Sequence, residues 1–308
     1  MSALRSALGD YLAIRRKLGW ELLGAGELLE SFVDFAERAG AERITTDVAL
    51  TWAKLPAQAR PYTWRQRLGT VRGFARYLST IDPASEVPAK DLLPGHQVRV
   101  APYIYSTAEI TALMDAAQML TPALQAATFQ TLVGLLAATG LRSGEARGLD
   151  RADVDLRDGA LHVRAAKRKK QREVPLHNST TQALSDYARL RERDFPQPKS
   201  AAFFLSIHGD RVSSSTFNHT FQKLISRAGL EGRGHRARPR PHDLRHTFAV
   251  RTLQSWHQTG QDIDAQLPLL STYLGHLAPE NTYWYLSAAP DLMALVAGRL
   301  DRVLGAQS

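Results

Sequence analysis

The chain contains no cysteine in 308 residues. That excludes disulfides, a thiol nucleophile and thiolate metal sites. It also lacks a long apolar run: the longest, Thr131 to Thr139, falls far short of the ~20 residues of a membrane-spanning helix. The opening stretch MSALRSALGDYLAIRRKLGW carries Arg15, Arg16 and Lys17 behind its apolar positions, the reverse of a secretory signal. A soluble intracellular protein is therefore expected. Acid is scarce relative to base, with 30 Asp+Glu against 39 Lys+Arg and a net charge of +9. Such an excess favours a polyanionic partner, either nucleic acid or an anionic membrane surface, although many basic proteins bind neither. Hydrophobic residues make up 44%, enough to bury a core and to exclude disorder.

The length suggests two domains. Residues 1–81 read as four helices. Leu4, Leu8, Tyr11, Leu12 and Leu18 share one helical face; Leu28, Leu29, Phe32 and Phe35 share another, closed by Gly40. A third helix fits Thr46 to Leu55, and a fourth about Thr63 to Thr80, where Trp64, Leu68, Val71, Phe74 and Leu78 keep a 3.6-residue period. Arg65, Arg72 and Arg76 form a stripe off that apolar face. Gly69 and Gly73 lie in the helix interior, where each costs about 1 kcal/mol against Ala. The stripe reads first as a solvated basic face and second as a phosphate-contacting one, with another backbone close by. Pro83, Pro88, Pro94, Gly95 and Pro102 mark residues 82–104 as a linker.

Residues 105–308 begin with a capping signal at Ser106 or Thr107 followed by Glu109. Helices fit Ala108–Met119 and Ala123–Thr139. Asp158-Gly159 is a hairpin-type turn signal, leading to strands Ala160–Arg164 and Arg172–Leu176. Further helices fit about Thr180–Arg193, Ser213–Ala228, His242–Ser255 and Leu267–Leu274, and an amphipathic segment closes the chain at Pro290–Leu304. The expected fold is mainly α, a helical N-terminal domain joined to a mostly helical second domain with a small antiparallel β-hairpin or sheet.

Four stretches can carry chemistry. In Ala-Thr-Gly-Leu-Arg142-Ser-Gly-Glu145, a helix stops at Gly140, Ser143 looks like the next helix cap, and Arg142 stands at the junction. An arginine capping helix carbonyls is the ordinary alternative. The hairpin turn holds Arg164, Lys167, Arg168, Lys169, Lys170 and Arg172 without an acid. A solvated turn or loose phosphate contact accounts for most of these, but a lysine there can also reach a DNA groove. In Pro241-His242-Asp-Leu-Arg245-His246, Pro241 starts a helix and His242, Arg245 and His246 share a face. Arg233, His235, Arg236, Arg238 and Arg240 precede it. The rival reading, His242-Asp243-x-x-His246 as a zinc motif of the H-E-x-x-H kind, has Asp for Glu, Arg245 between the ligands and no evident third ligand. The fourth stretch is Leu274-Gly275-His276 with Tyr283-Trp284-Tyr285, where core packing is the ordinary reading for the aromatics.

The ordered set resembles the tyrosine recombinase, or phage integrase, family over residues 105–290, and the N-terminal helices are similar to its core-binding, DNA-clamping domain. The resemblance implies catalytic roles for Arg142, Lys167, His242, Arg245, His276 and Tyr285, with Glu145 supporting Arg142. Lys169 and Lys170 compete with Lys167, and Tyr283 with Tyr285. DNA contacts are expected from Arg65, Arg72, Arg76, Arg168, Lys169, Lys170, Arg236, Arg238 and Arg240. The wording around His276 and Tyr285 is closest to recombinases of bacterial transposable elements. One departure is the long interval from Arg245 to His276, whose excess is expected as a loop over Trp256 to Ala265.

The family's chemistry is cleavage and rejoining of DNA through a 3′-phosphotyrosine, without metal or cofactor. Arginines suit it because charge builds on the nonbridging oxygens. A tyrosine of pKa ~10 needs that positive field and a base to attack at neutral pH. The implied partner is double-stranded DNA with inverted sites, bound by a homo-tetramer on two duplexes, with or without a partner recombinase and away from membranes. The implied location is the nucleoid of a bacterial cytoplasm. Competing readings are a type IB topoisomerase-like nicking and closing enzyme, a non-catalytic DNA-binding regulator, and a hydrolytic metalloenzyme.

Overall fold

The computed structural model describes residues 2–20, 22–95, 101–164, 171–232 and 238–275. It divides into two units, Met1–Arg99 and Val100–Ser308. The first holds four helices: α1 (Ala3–Lys17), α2 (Leu23–Arg38), α3 (Thr46–Lys54) and α4 (Pro61–Leu78). Ser2 and Thr45 cap α1 and α3 through their hydroxyl oxygens. Helix α4 starts earlier than its apolar period indicates because Pro61 occupies the first helical position, where a missing N–H costs nothing. The apolar faces meet in one core containing Leu8, Phe32, Trp52, Val71 and Phe74.

Residues 82–95, expected within the linker, lie against this unit. Leu93 is in its core, and the Glu86 amide donates to Ile44 O at 2.8 Å. The basic stripe of α4 holds that segment. Arg72 donates to Pro88 O and Ala89 O, both at 2.7 Å. Arg65 donates to Gly95 O at 3.0 Å and pairs with Asp91 at 3.1 Å. At Gly69 a Cβ would meet nothing within 4 Å, so no backbone of the described residues approaches there.

The second unit is built around α6 (Ala123–Thr139), which packs against α5 (Thr107–Gln118), α7 (Ser143–Gly148), α8 (Asn178–Asp194) and α10 (Pro241–Gln258). A capping box between Ser106 and Glu109 starts α5. Helix α6 buries Leu132, Val133, Leu135 and Leu136 on several sides, as expected of a helix surrounded by others. A three-stranded antiparallel sheet follows in the order β1 (Val154–Asp155), β2 (Ala160–Val163), β3 (Arg172–Pro175), with Leu161 opposite Val174 and Val163 opposite Arg172. The two-residue β1 is too short to show a period-2 pattern in sequence. Helices α9 (Ser214–Arg227) and α11 (Ile263–Leu274) complete the unit.

The interval before His276 corrects one expectation. It is not a long loop: α10 continues to Gln258 and α11 begins at Ile263. Asp262 caps α11 by accepting from Asp264 N and Ala265 N, and Ile263 and Leu267 bury their side chains with Val250 and Leu253 of α10. The polar letters concealed a helix end and a helix start. Pro268 inside α11, a residue that normally breaks helices, made a later start look natural.

Candidate active site

Two glycines place the arginines. Gly140 ends α6 with φ 62°, and Gly275 ends α11 with φ 68°, a left-handed geometry that favours glycine. A Cβ on Gly140 would lie 2.5 Å from the Phe248 ring, and one on Gly275 2.9 Å from the Arg172 guanidinium. Between these two helix C-termini lies Arg245, only 1% exposed. Its Nη1 donates to Gly140 O at 2.9 Å and its Nη2 to Leu274 O at 2.6 Å. The negative ends of two helices thus offset the burial of this cation.

Arg142 reaches the same turn from the other side, its Nη2 donating to Gly275 O at 3.2 Å. The two guanidiniums therefore bind consecutive carbonyls of one turn. Arg142 also pairs with Glu145 at 2.9 Å, and its side chain is 41% exposed, open enough to meet a ligand. Ser143 is not the cap expected of it. Arg142 occupies the cap position of α7 and Ser143 the first helical one, and Glu145 Oε2 reaches back to accept from the Arg142 amide at 2.9 Å.

His242 lies in the first turn of α10, one turn before Arg245. The residue is exposed to solvent, and its neighbours strip part of the water from its ring. The lost hydration, then the charges of Arg245, Arg142 and Arg240, lower its pKa to about 4. It is neutral at pH 7. Its ring meets the His246 ring edge-on at 4.7 Å. Among the described residues no group of three or more His, Asp or Glu is arranged around a metal-sized space.

Other basic residues have structural partners. Arg240, expected on DNA, binds Asp243 through its own amide at 3.0 Å and its guanidinium at 3.1 Å, and Asp243 is fully buried. Arg164 pairs with Asp150 at 3.0 Å and Asp153 at 2.5 Å, and Arg172 with Glu145 at 2.9 Å. These two are therefore not free turn cations. Arg238 and Arg76 are exposed. Lys167, Arg168, Lys169, Lys170, Arg236, His276 and Tyr285 lie outside the described residues.

The model of the phage integrase family matches residues 105–291, more than half of the chain. The protein named "Putative integrase/recombinase y4rB" of Sinorhizobium fredii is 41% identical over 98% of each chain. The chain belongs to the phage integrase family. It is a tyrosine-type site-specific recombinase, and the tyrosine recombinase XerC of Chlamydia trachomatis serovar L2 is 31% identical, matching 72% of this chain and 66% of that protein. The fold agrees with that of the Tn1549 transposon integrase solved with transposon right end DNA. The TM-score is 0.65 at 17% identity, over 97% of this chain and 99% of that one. Of the residues singled out in the sequence, Arg142, Glu145, His242 and Arg245 are brought to one place by the fold. What the motifs did not reveal is Arg172, read only as part of a basic run. The sole signal was its position as the first residue of β3.

Proposed function

We propose that the chain cleaves and rejoins DNA through a covalent 3′-phosphotyrosine on Tyr285. The observation that carries this reading is the pair of arginines converging on the Leu274–Gly275 turn, with neutral His242 beside them. Without a metal, fixed cations must stabilise the transition state's phosphate. Arg142, the more open of the two, binds the nonbridging oxygens. Arg245 adds its charge from beneath the surface. The Tyr285 oxygen attacks phosphorus, the bond to the 5′-oxygen breaks, and the phosphoester is conserved in the tyrosine ester. His242 or a neighbour takes the tyrosine proton, its neutral state leaving it free to do so. Lys167 protonates the departing 5′-oxygen, and His276 contacts the phosphate. Reversal of the same steps by another 5′-hydroxyl rejoins the strand.

The DNA partner is suggested by the net charge of +9 and by fold neighbours solved on DNA. Paired inverted sites, a tetramer on two duplexes and exchange of the Pro290–Leu304 segment between subunits belong to the same proposal.

The test uses nicked duplexes drawn from a randomised pool, so that a cleaved end diffuses away and the covalent complex persists on a denaturing gel. The wild-type chain captures DNA, and capture continues in EDTA. Tyr285→Phe captures none while still binding. A persistent adduct in that variant would remove Tyr285 as nucleophile, and loss of capture in EDTA would point to metal-dependent cleavage.

A further inference from the structure

Arg172 opens β3 at the foot of the basic turn. It resembles its neighbours in sequence but not in surroundings. Its side chain is 13% exposed and its partner Glu145 10%, so this charge does not face a ligand. The contact is two-pronged, with Nη1 donating to Oε1 at 3.0 Å and Nη2 to Oε2 at 2.9 Å. Arg142 uses the same carboxylate: its Nη1 donates to Oε1 and its amide to Oε2, both at 2.9 Å. Both oxygens of Glu145 are therefore fully engaged by two arginines.

Arg172 also lies against Gly275, where an added Cβ would stand 2.9 Å from its Nη1 and 3.2 Å from its Cζ. Arg142 donates to the carbonyl of that same residue. The two groups that fix Arg142, the Glu145 carboxylate and the Gly275 carbonyl, belong to the two residues that Arg172 touches. We propose that Arg172 is a positioning residue for DNA cleavage: it orients Arg142 toward the scissile phosphate through Glu145 and holds the turn preceding His276.

Charge balance adds a second reason. Glu145 alone would neutralise Arg142, whereas one carboxylate shared by two guanidiniums leaves the cluster with a net positive charge for the phosphate. Burial would raise the Glu145 carboxyl, but the hydrogen bonds from Arg172 and the Arg142 amide outweigh it and hold the group at about 2. The carboxylate is thus ionised whenever DNA is bound. A lysine would keep the charge but contact one oxygen at a time, without the planar fork.

This inference rests on the recombinase reading above, and the experiment separates the two. The probes are a nicked duplex captured covalently by the wild-type chain and the same duplex with a methylphosphonate at the scissile position, which removes the charge of one nonbridging oxygen. With Arg172→Met, capture of the ordinary duplex slows about 100-fold and affinity changes less than about 3-fold, while Arg172→Lys recovers part of the rate. On the methylphosphonate duplex the deficit shrinks to within about 3-fold, because the charge that Arg142 must meet is gone. Combined with Glu145→Gln, Arg172→Met adds little to the larger single loss. An equal deficit on both duplexes, or losses that multiply, would overturn the positioning role and leave the recombinase reading intact. Failure of the wild-type chain to capture any duplex would overturn both. Should Arg172→Met not fold, Arg172→Lys carries the same comparison, since a slowed rate relieved by the methylphosphonate has no purely structural cause.

Discussion

At the scale of single residues, the two arginines of the site differ in what they support. Arg245 is buried and satisfies the last carbonyls of two helices, whereas Arg142 is part-exposed beside Glu145. Removing the buried one strands two carbonyls, each costing about 1–3 kcal/mol when left unsatisfied. Arg245→Met is therefore expected to lower the urea unfolding free energy by about 2–5 kcal/mol. Arg142→Met should cost less than Arg245→Met, because the Arg142 side chain is 41% exposed and Glu145 keeps its pairing with Arg172, although both variants are expected to lose cleavage. Equal stability of the two variants would refute the assignment of Arg245 as a strut. His242 gives a pH signature. Its pKa of about 4 lies below the ~6.5 of a histidine in an unfolded chain. Between those values the unfolded state holds the extra proton, so acid erodes stability. A phosphate bound beside the ring would raise this low pKa, so binding should take up a proton and tighten in mild acid, toward about pH 5, while near pH 7 the ring stays neutral and able to accept the tyrosine proton. Calorimetry in two buffers of different ionisation heat measures that uptake. His242→Gln should lose part of it; unchanged uptake in the variant would show that the ring does not face the phosphate.

At the scale of elements, the site is a junction of helix ends, and its cheapest point of failure is Gly140. An alanine there would need a left-handed φ and would press its Cβ to 2.5 Å from Phe248. The expected loss is about 1–3 kcal/mol, with cleavage falling more than DNA affinity because the Gly140 carbonyl that holds Arg245 moves. Thermal unfolding beside a capture assay distinguishes this from a variant that merely unfolds. The same junction shows what sequence could and could not convey. The long helices were legible because burial imposes a 3.6-residue period on Trp64 through Leu78 and an apolar run on Thr131 through Thr139. Gly140 and Arg142 were legible as a helix stop followed by a cation. Glu145 was legible as the companion of Arg142, but the second arginine on that carboxylate was not, because Arg172 comes from a strand 27 residues beyond Glu145 and pairing at that range leaves no local pattern. The polar Trp256–Ala265 stretch misled for a related reason: Asp262 signals a cap only once the burial of Ile263 behind it is known.

At the scale of the molecule, the net charge of +9 overstates the cations available to a polyanion. Arg164, Arg172 and Arg240 pair with acids, and Arg65 and Arg72 hold the 88–95 segment through its carbonyls and Asp91. Arg76, on the same stripe of α4, is exposed, and its side chain makes no hydrogen bond or ion pair with a described residue. If the chain binds DNA through this stripe, the three arginines should separate in a salt titration. Removing one cation that neutralises a phosphate reduces the slope of log affinity against log salt by about one. Arg76→Gln should produce that reduction and leave stability unchanged. Arg72→Gln should leave the slope close to the wild-type value and lower the unfolding free energy instead, since it abandons two carbonyls at 2.7 Å. Equal slopes for the wild-type chain and Arg76→Gln would place the DNA-binding face elsewhere on the N-terminal unit. A slope change in Arg72→Gln without loss of stability would mean that Arg72 leaves the 88–95 segment when DNA arrives, making that segment part of the binding equilibrium.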